Sequence, residues 1–375
     1  MSVASRLIPG AWLAEPGAEA RRVPSAVERT LVVGTGALTR AVVNEIEARP
    51  ALRAAVVGVV PDGTAKGESL PWVLAEALER AIDQTRPARI VVGVDDRRGR
   101  LPVRQLLEAR TRGILVEDAV EAYERLTGKL ALEALAPSSL AFSRGFRMSR
   151  LHAALARGLG LALATLGLVV LAPLLGLIAI MTRLDSSGPV FFVQERVGWR
   201  GRPFNLIKFR TMSPREHQTS EWEQDNCDRI TRVGRWLRRC RLDELPQLVN
   251  VLLGDMNLVG PRPHPVTNLA LLTLAARNLN DLSGEAIPYY SLRCAVRPGI
   301  TGWAQVRYGY ANSLEEELEK LRYDLYYVKH ASLWLDLRIL FETIRVVVSR
   351  RAAPAARAER VDTRDARAAR RLSAA

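Results

Sequence analysis

Cysteine and histidine are scarce in this sequence, at three and four residues in 375. Cys227, Cys240 and Cys294 are not at metal-ligand spacing, and an odd count argues against a disulfide framework. The histidines are scattered. These shortages exclude a zinc module and a disulfide-stapled secreted fold, and point to a reducing, cytosolic environment. The first residues, MSVASRLIPGAWLAEPG, lack a basic segment followed by a long apolar run, so they do not read as a signal peptide. Acidic charge is also short: 40 Asp and Glu against 54 Lys and Arg leave a net charge of +14. Such a surplus suits nucleic acid, anionic lipid or a phosphorylated substrate. No recognised nucleic-acid-binding motif accompanies the charge, so nucleic acid is not an expected partner.

What is present is enough for two ordinary domains, with 48% hydrophobic and 25% charged residues. Residues 1–28, rich in Ala, Pro, Gly and Arg, read as a flexible N-terminus. From 29 to 128, β-branched runs (TLVVG 30–34, AAVVGVV 54–60, RIVVGV 89–94, GILVED 113–118) alternate with helical stretches near 37–48, 72–84, 102–111 and 117–127. That alternation predicts a parallel sheet with crossover helices, a small Rossmann-like α/β domain. Its loop VVGTGALTRAV supplies Gly34 and Gly36, but Thr39 stands where a third glycine would complete the dinucleotide fingerprint. After the second strand Pro61 precedes Asp62, so the acid expected on a ribose is displaced as well. A structural or regulatory role is expected for this domain, without NAD.

A linker over 129–150 ends in Arg144, Arg147 and Arg150. From Gly158 to Thr182 follow 25 residues without a charge, GLGLALATLGLVVLAPLLGLIAIMT, longer than a bilayer core requires. Pro173 lies inside the run and removes a backbone donor. Both flanks are basic, with Arg157 before and Arg183, Arg196, Arg200 and Arg202 after, which draws both ends to the cytosol. A helix broken at Ala172–Pro173 that re-enters the same face satisfies both features. A straight span that tolerates Pro173 satisfies only the length.

Residues 151–350 then form a mixed α+β catalytic domain containing that membrane helix at 158–182, and 351–375 form a basic tail expected to be disordered. Near the domain's end Leu333, Leu337, Leu340, Phe341, Ile344 and Val348 share one helical stripe, which suits either a core or a membrane surface. In RLDELPQLVNVLLGD (241–255), Pro246 suits a first helical turn and Gly254 its end. Asp243 and Glu244 then sit at a helix N-terminus, where free N–H groups favour carboxylates and phosphates. Read alone, the pair is best explained as a helix cap. Lys208 and Arg210 in FNLIKFRTM, Arg262 in GDMNLVGPRP and Arg297 in RPGITGWAQV shift that balance, because guanidinium groups on such loops bind phosphate bidentately.

Residues 142–350 resemble the monotopic phosphoglycosyl transferases, also called bacterial sugar transferases or polyprenyl glycosylphosphotransferases. The resemblance rests on an ordered series: the Pro-broken apolar helix, KFRTM, LDELPQL, GDMNLVGPRP, RPGITGWAQV and YDLYYVKHASLWLDLRIL. It implies an inner-membrane enzyme with both domains facing the cytosol. Asp243 would be the nucleophile toward a UDP-sugar, releasing UMP and leaving an aspartyl-phosphosugar that undecaprenyl phosphate then attacks. Glu244 would be a metal ligand, shared with Asp243, or a base. Mg²⁺ is the expected cofactor, Asp324 a further active-site acid, and Arg262 and Pro263 match the family's nucleotide-associated PRP motif. Exopolysaccharide or surface-glycan synthesis is the expected setting, with a homodimer as the arrangement suggested by larger members. Those members often carry several membrane helices before the Rossmann-like domain, and none is seen here. The residue before the helix-breaking proline is Ala172, where some small members have serine.

Two rival classes are an epimerase or oxidoreductase acting on nucleotide sugars, and a non-catalytic membrane adaptor. The first needs a Tyr-x-x-x-Lys pair; Tyr326–Lys329 is one residue short and Tyr323–Lys329 too long. The second has no use for an ionisable Asp243.

Overall fold

The computed structural model describes residues 27–62, 71–94, 101–132, 145–146, 149–213, 229–266, 289–308 and 314–349. Residues 1–26, most of the linker and the basic tail lie outside them. The chain divides into two compact units, Met1–Leu135 and Ala136–Ala375.

The first unit alternates β1 (Glu28–Val33), α1 (Ala37–Ala48), β2 (Ala54–Val60), α2 (Pro71–Thr85), β3 (Arg89–Val92), α3 (Val103–Thr111), β4 (Leu115–Asp118) and α4 (Ala119–Thr127). All four strands are parallel, in the order β2-β1-β3-β4. Near-continuous apolar strands follow from burial on both faces. One face packs Leu31, Val33 and Ile90 against Leu74 and Leu78 of α2, the other packs Val32 and Val91 against Val42 and Val43 of α1. Thr39 is fully buried and donates its hydroxyl to Gly93 O at 3.1 Å, tying the first turn of α1 to the loop after β3. Asp62 is 2% exposed and accepts from the Thr35 hydroxyl at 3.1 Å.

The second unit opens with α5 (Arg150–Asp185), 36 residues long. It is the one helix among the described residues that is long and apolar enough to cross a membrane. It extends beyond the expected 158–182 at both ends and continues as helix through the expected break at Ala172–Pro173. One stripe of α5 packs on the domain: Gly160, Ala164, Ile178 and Thr182 are buried, and Gly167 leaves room for Leu248. Small residues on the stripe let the backbones approach. At the start of the stripe Arg157 donates to Val251 O at 2.6 Å; at its end Arg210 donates to Ser186 O at 2.7 Å. The outer face, including Leu166, Val169, Val170, Leu177, Ile180 and Leu184, is exposed.

After α5 come the antiparallel pair β5 (Phe191–Val197) and β6 (Pro203–Phe209), then α6 (Arg232–Cys240), a 3-10 turn at Leu242–Glu244 and α7 (Gln247–Leu253). A short parallel pair, β7 (Asn257–Val259) and β8 (Gly299–Thr301), is followed by helices, α8 (Tyr290–Arg293) lying between its strands in sequence. The helices after β8 are α9 (Trp303–Arg307), α10 (Leu314–His330) and α11 (Leu333–Ser349). The expected apolar stripe of α11 is split between two faces. Leu340 packs on the core with Leu335 and Ile339, whereas Leu337, Phe341 and Ile344 join Trp334 on an exposed face.

One side chain sets the position of β6 against α7. Asn250, 1% exposed, accepts from Ile207 N at 3.1 Å and donates to Asn205 O at 2.8 Å, pairing with the strand edge as a neighbouring strand would. Replacing Asn250 by Ala leaves the part-buried Ile207 N–H and Asn205 carbonyl without this partner, which costs about 2 kcal/mol. Thermal unfolding of Asn250→Ala should show a loss of that order; a loss below about 1 kcal/mol would mean the pairing is dispensable.

Candidate active site

The site forms where β6 ends beside the turn between α6 and α7. Arg241 adopts a left-handed conformation (φ 55°) and reverses the chain, so the last turn of α6 folds back beside Asp243. Asp243 and Glu244 lie in the 3-10 turn Leu242–Glu244, just before α7 and outside its first turn. Pro246 explains the offset, since without an N–H it cannot extend the helical ladder backward. Gly254 ends α7 with φ 97°, as its sequence position predicts.

The adjacent carboxylates have different surroundings. Glu244 is 7% exposed and accepts from Arg262 Nη2 at 2.9 Å, with Arg241 Nη1 4.0 Å from its other oxygen. Burial opposes its charge, but Arg262 and Arg241 outweigh burial and hold its carboxyl below the usual range. Asp243 is partly exposed. Burial first, then the charge of Glu244, raises its carboxyl above the usual range, against the pull of Lys208, Arg238 and Arg262. The pair is thus divided into a committed ion-pair partner and an accessible, more basic carboxylate.

Lys208 completes the cationic side. Burial, with the charges of Arg196 and Arg262, lowers its ammonium to about 8, and Asp243 acts in the opposite direction. Its Nζ lies 5.0 Å from the Phe192 ring centroid, across the β5–β6 pair. Arg238, which sequence reading missed, is oriented by a 2.9 Å bond from its Nε to the Thr211 hydroxyl, and its charge bears on both Asp243 and Lys208. Its signal in the sequence is the basic run RWLRRCR just ahead of LDE, whose reach depends on the reversal at Arg241.

The loop carrying Arg262 and Pro263 is held from behind. Arg293 donates to Arg262 O, and Arg196 donates to Pro263 O at 3.0 Å. Gly260 is required there, because a Cβ would lie 2.4 Å from Arg297 O. Asp324 is 3% exposed and accepts from Arg293 Nε at 2.8 Å, so it supports Arg262 through Arg293. Burial raises the Asp324 carboxyl, with Arg293 opposing.

Two arginines are placed elsewhere. Arg297 donates to Gly254 O at 3.1 Å and stacks 4.4 Å from the Trp199 ring centroid, at the end of α7 opposite the dyad. Arg210 caps the end of α5 through Ser186 and Thr182. The strand ends at Phe209, so alternation no longer sets Arg210 beside Lys208. Tyr323 is buried and pairs with Tyr308, and Tyr326 stacks on Trp303.

Residues 151–350 match the bacterial sugar transferase family, and the chain belongs to it. A UDP-glucose:undecaprenyl-phosphate glucose-1-phosphate transferase of Escherichia coli K12 is 33% identical over 342 residues, covering 89% of this chain and 69% of that protein. That alignment is too long to be contained in Ala136–Ala375, so it takes in part of the first unit. A UDP-N-acetylgalactosamine-undecaprenyl-phosphate N-acetylgalactosaminephosphotransferase of Aeromonas hydrophila is 40% identical over 227 residues, 60% of this chain. An undecaprenyl-phosphate glucose phosphotransferase of Komagataeibacter xylinus is 43% identical over 206 residues, 52% of this chain. The matched segments span 50% and 36% of these two relatives.

Behind the loop, the Tyr290 hydroxyl lies 3.2 Å from His264 Nδ1, and His264 Nε2 lies 3.2 Å from Glu317. A neutral imidazole serves both contacts, accepting at Nδ1 and donating at Nε2. Burial and Arg293 lower the His264 imidazole to about 4, whereas the unfolded chain titrates near 6.5. The unfolded state therefore binds this proton first as pH falls. Stability from His264 is complete above about pH 6.5 and declines as pH drops toward about 4, by about 3 kcal/mol in all. Glu317, held down to about 2 by its hydrogen bond to His264 and by nearby cations despite burial, adds a loss at lower pH. Thermal unfolding against pH should show the His264→Gln variant losing the decline between 6.5 and 4. An unchanged acid slope would exclude His264 as its source.

Proposed function

We propose that this chain transfers a sugar 1-phosphate from a UDP-sugar to undecaprenyl phosphate, in exopolysaccharide or surface-glycan synthesis. The observation that carries the reading is the accessible Asp243 facing Lys208, Arg238 and Arg262, beside a long apolar helix. A carboxylate attacking a diphosphate meets like-charge repulsion, and a ring of fixed cations lowers that cost. An Asp243 oxygen attacks the phosphorus next to the sugar, the bond to the bridging oxygen breaks, and its electron pair leaves on UMP. An oxygen of undecaprenyl phosphate then attacks the aspartyl-phosphosugar, releasing the Asp243 carboxylate and giving the diphosphate-linked sugar. Arg262 and Lys208 neutralise the donor's phosphates, and Glu244 holds Arg262 in place.

Among the described residues no three His, Cys, Asp or Glu side chains cluster as a metal site. Mg²⁺ suits what is there, because it binds through one or two carboxylates and completes its shell with phosphate oxygens and water. Asp243, with the Glu244 oxygen that Arg262 does not take, would hold it, and its contribution would be neutralisation of phosphate charge.

The re-entrant arrangement is supported by Pro173 inside the apolar run and by the basic residues on both of its flanks. With both basic flanks on one side, the catalytic unit faces the cytosol at the inner membrane. The parallel sheet of the first unit serves as a Rossmann-like accessory domain, with Thr39 closing the place of a third glycine.

Purified protein incubated with Mg²⁺, undecaprenyl phosphate and UDP-glucose or UDP-N-acetylgalactosamine should release UMP, and chelation should stop release. Asp243→Asn should lower turnover by about a thousandfold or more, and intact-mass analysis should find a sugar-phosphate adduct on the wild type alone. No UMP from any UDP-sugar tested would overturn the function; wild-type turnover by Asp243→Asn would overturn the nucleophile.

A further inference from the structure

Helix α6 carries a second, outward face that the chemistry does not use. Arg232, Arg235, Trp236 and Arg239 are its exposed residues, at the i, i+3, i+4, i+7 spacing of one stripe, and Trp236 is 47% exposed. The helix contains no acidic residue. Among the described residues, none of the three arginine side chains makes a hydrogen bond, ion pair or ring contact. Exposed arginines of the first unit behave otherwise: Arg80 pairs with Glu76, Arg104 with Glu108, Arg112 with Asp83 and Arg125 with Glu117.

The orientation of this stripe is fixed. A Cβ at Gly234 would lie 2.2 Å from Thr211 O, so α6 is seated against that strand end as closely as glycine allows. Leu237 is buried with Ile178 of α5 and Phe209, and Val233 packs on the same cluster. The Asp185 carboxylate, at the end of α5, accepts from Val233 N at 2.9 Å in the first turn of α6. Rolling the helix to cover the arginines would break all of these contacts. The stripe therefore lies on a helix anchored at the end of α5, whose outer face there carries exposed Leu177, Ile180 and Leu184.

We propose that the Arg232–Arg235–Trp236–Arg239 face of α6 docks on the anionic phospholipid headgroups of the bilayer that receives α5. Guanidinium groups bind lipid phosphates in a forked geometry, and tryptophan favours the headgroup level. The site follows from charge complementarity and from the anchoring of α6 on the end of the apolar helix, and it rests on the membrane reading given above. Arg238 leaves the same helix on the other side to face Asp243.

The test is the distribution of the full chain between phosphatidylcholine vesicles and vesicles that also contain phosphatidylglycerol. Each arginine near an anionic surface is worth about fivefold in partitioning. Wild type should prefer the anionic vesicles by about tenfold or more, and Arg232→Gln/Arg235→Gln/Arg239→Gln together should remove most of that preference. The corresponding triple Lys variant should keep it, and unchanged UMP release by the Gln variant in neutral detergent shows that it is folded. Bromine-labelled phosphatidylglycerol should quench a component of wild-type fluorescence that Trp236→Phe lacks. An equal anionic preference in wild type and the Gln variant would overturn the docking face, as would displacement of wild type from anionic vesicles by duplex RNA through the same arginines. Failure to bind either vesicle would instead overturn the membrane reading of α5.

Discussion

Glu244 is a carboxylate almost without access to water, and Arg262 is the group that lets it stay charged there. Everything else at the site is arranged around this pair. An isolated buried charge is expensive, and removing one partner of a buried pair leaves the other uncompensated. Arg262 is accordingly fixed through its own backbone: Arg293 holds its carbonyl, Asp324 holds Arg293, and Arg196 holds the next carbonyl. With Glu244 committed, burial first and then the charge of Glu244 raise the neighbouring Asp243 carboxyl, against the pull of Lys208, Arg238 and Arg262. Two identical functional groups one residue apart acquire different chemistry from their surroundings.

The second constraint is that α5 must serve two solvents. One stripe of Gly160, Ala164 and Gly167 admits the domain closely, and the opposite face exposes leucine and valine. Arg157 caps the carbonyls at the end of α7, and Arg210 caps those at the end of α5 itself. Each guanidinium thus meets the partial negative charge of a helix C-terminus. The apolar helix is in this way bound at both ends to the elements that carry Lys208 and the dyad. The exposed apolar face of α11, with Trp334, Leu337, Phe341 and Ile344, extends the surface that has no protein partner among the described residues.

Much of the fold was legible in the sequence, for local reasons. In the first unit, apolar runs of strand length alternate with amphipathic stretches, and the elements fall within about two residues of their expected bounds. The apolar run of α5 and the glycine that ends α7 read correctly for the same reason. Placement was less legible where it depends on contacts distant in sequence. Arg297 and Arg210 are expected phosphate ligands by residue type, and each has a bond to a carbonyl at a helix end. Arg238 looks like surface charge until the left-handed Arg241 turns it toward Asp243.

The sequence by itself determined the parallel α/β unit, the membrane-length helix and the identity of the two carboxylates, since periodicity, hydropathy and motif order are properties of the chain. Tertiary structure alone decided which carboxylate is buried, which cations face the other, and which face of each helix is covered. A charge acquires its role from the groups within a few ångströms of it, and those groups come from segments 18 to 48 residues apart: Arg262 to Glu244, Arg293 to Asp324, Asp185 to Val233.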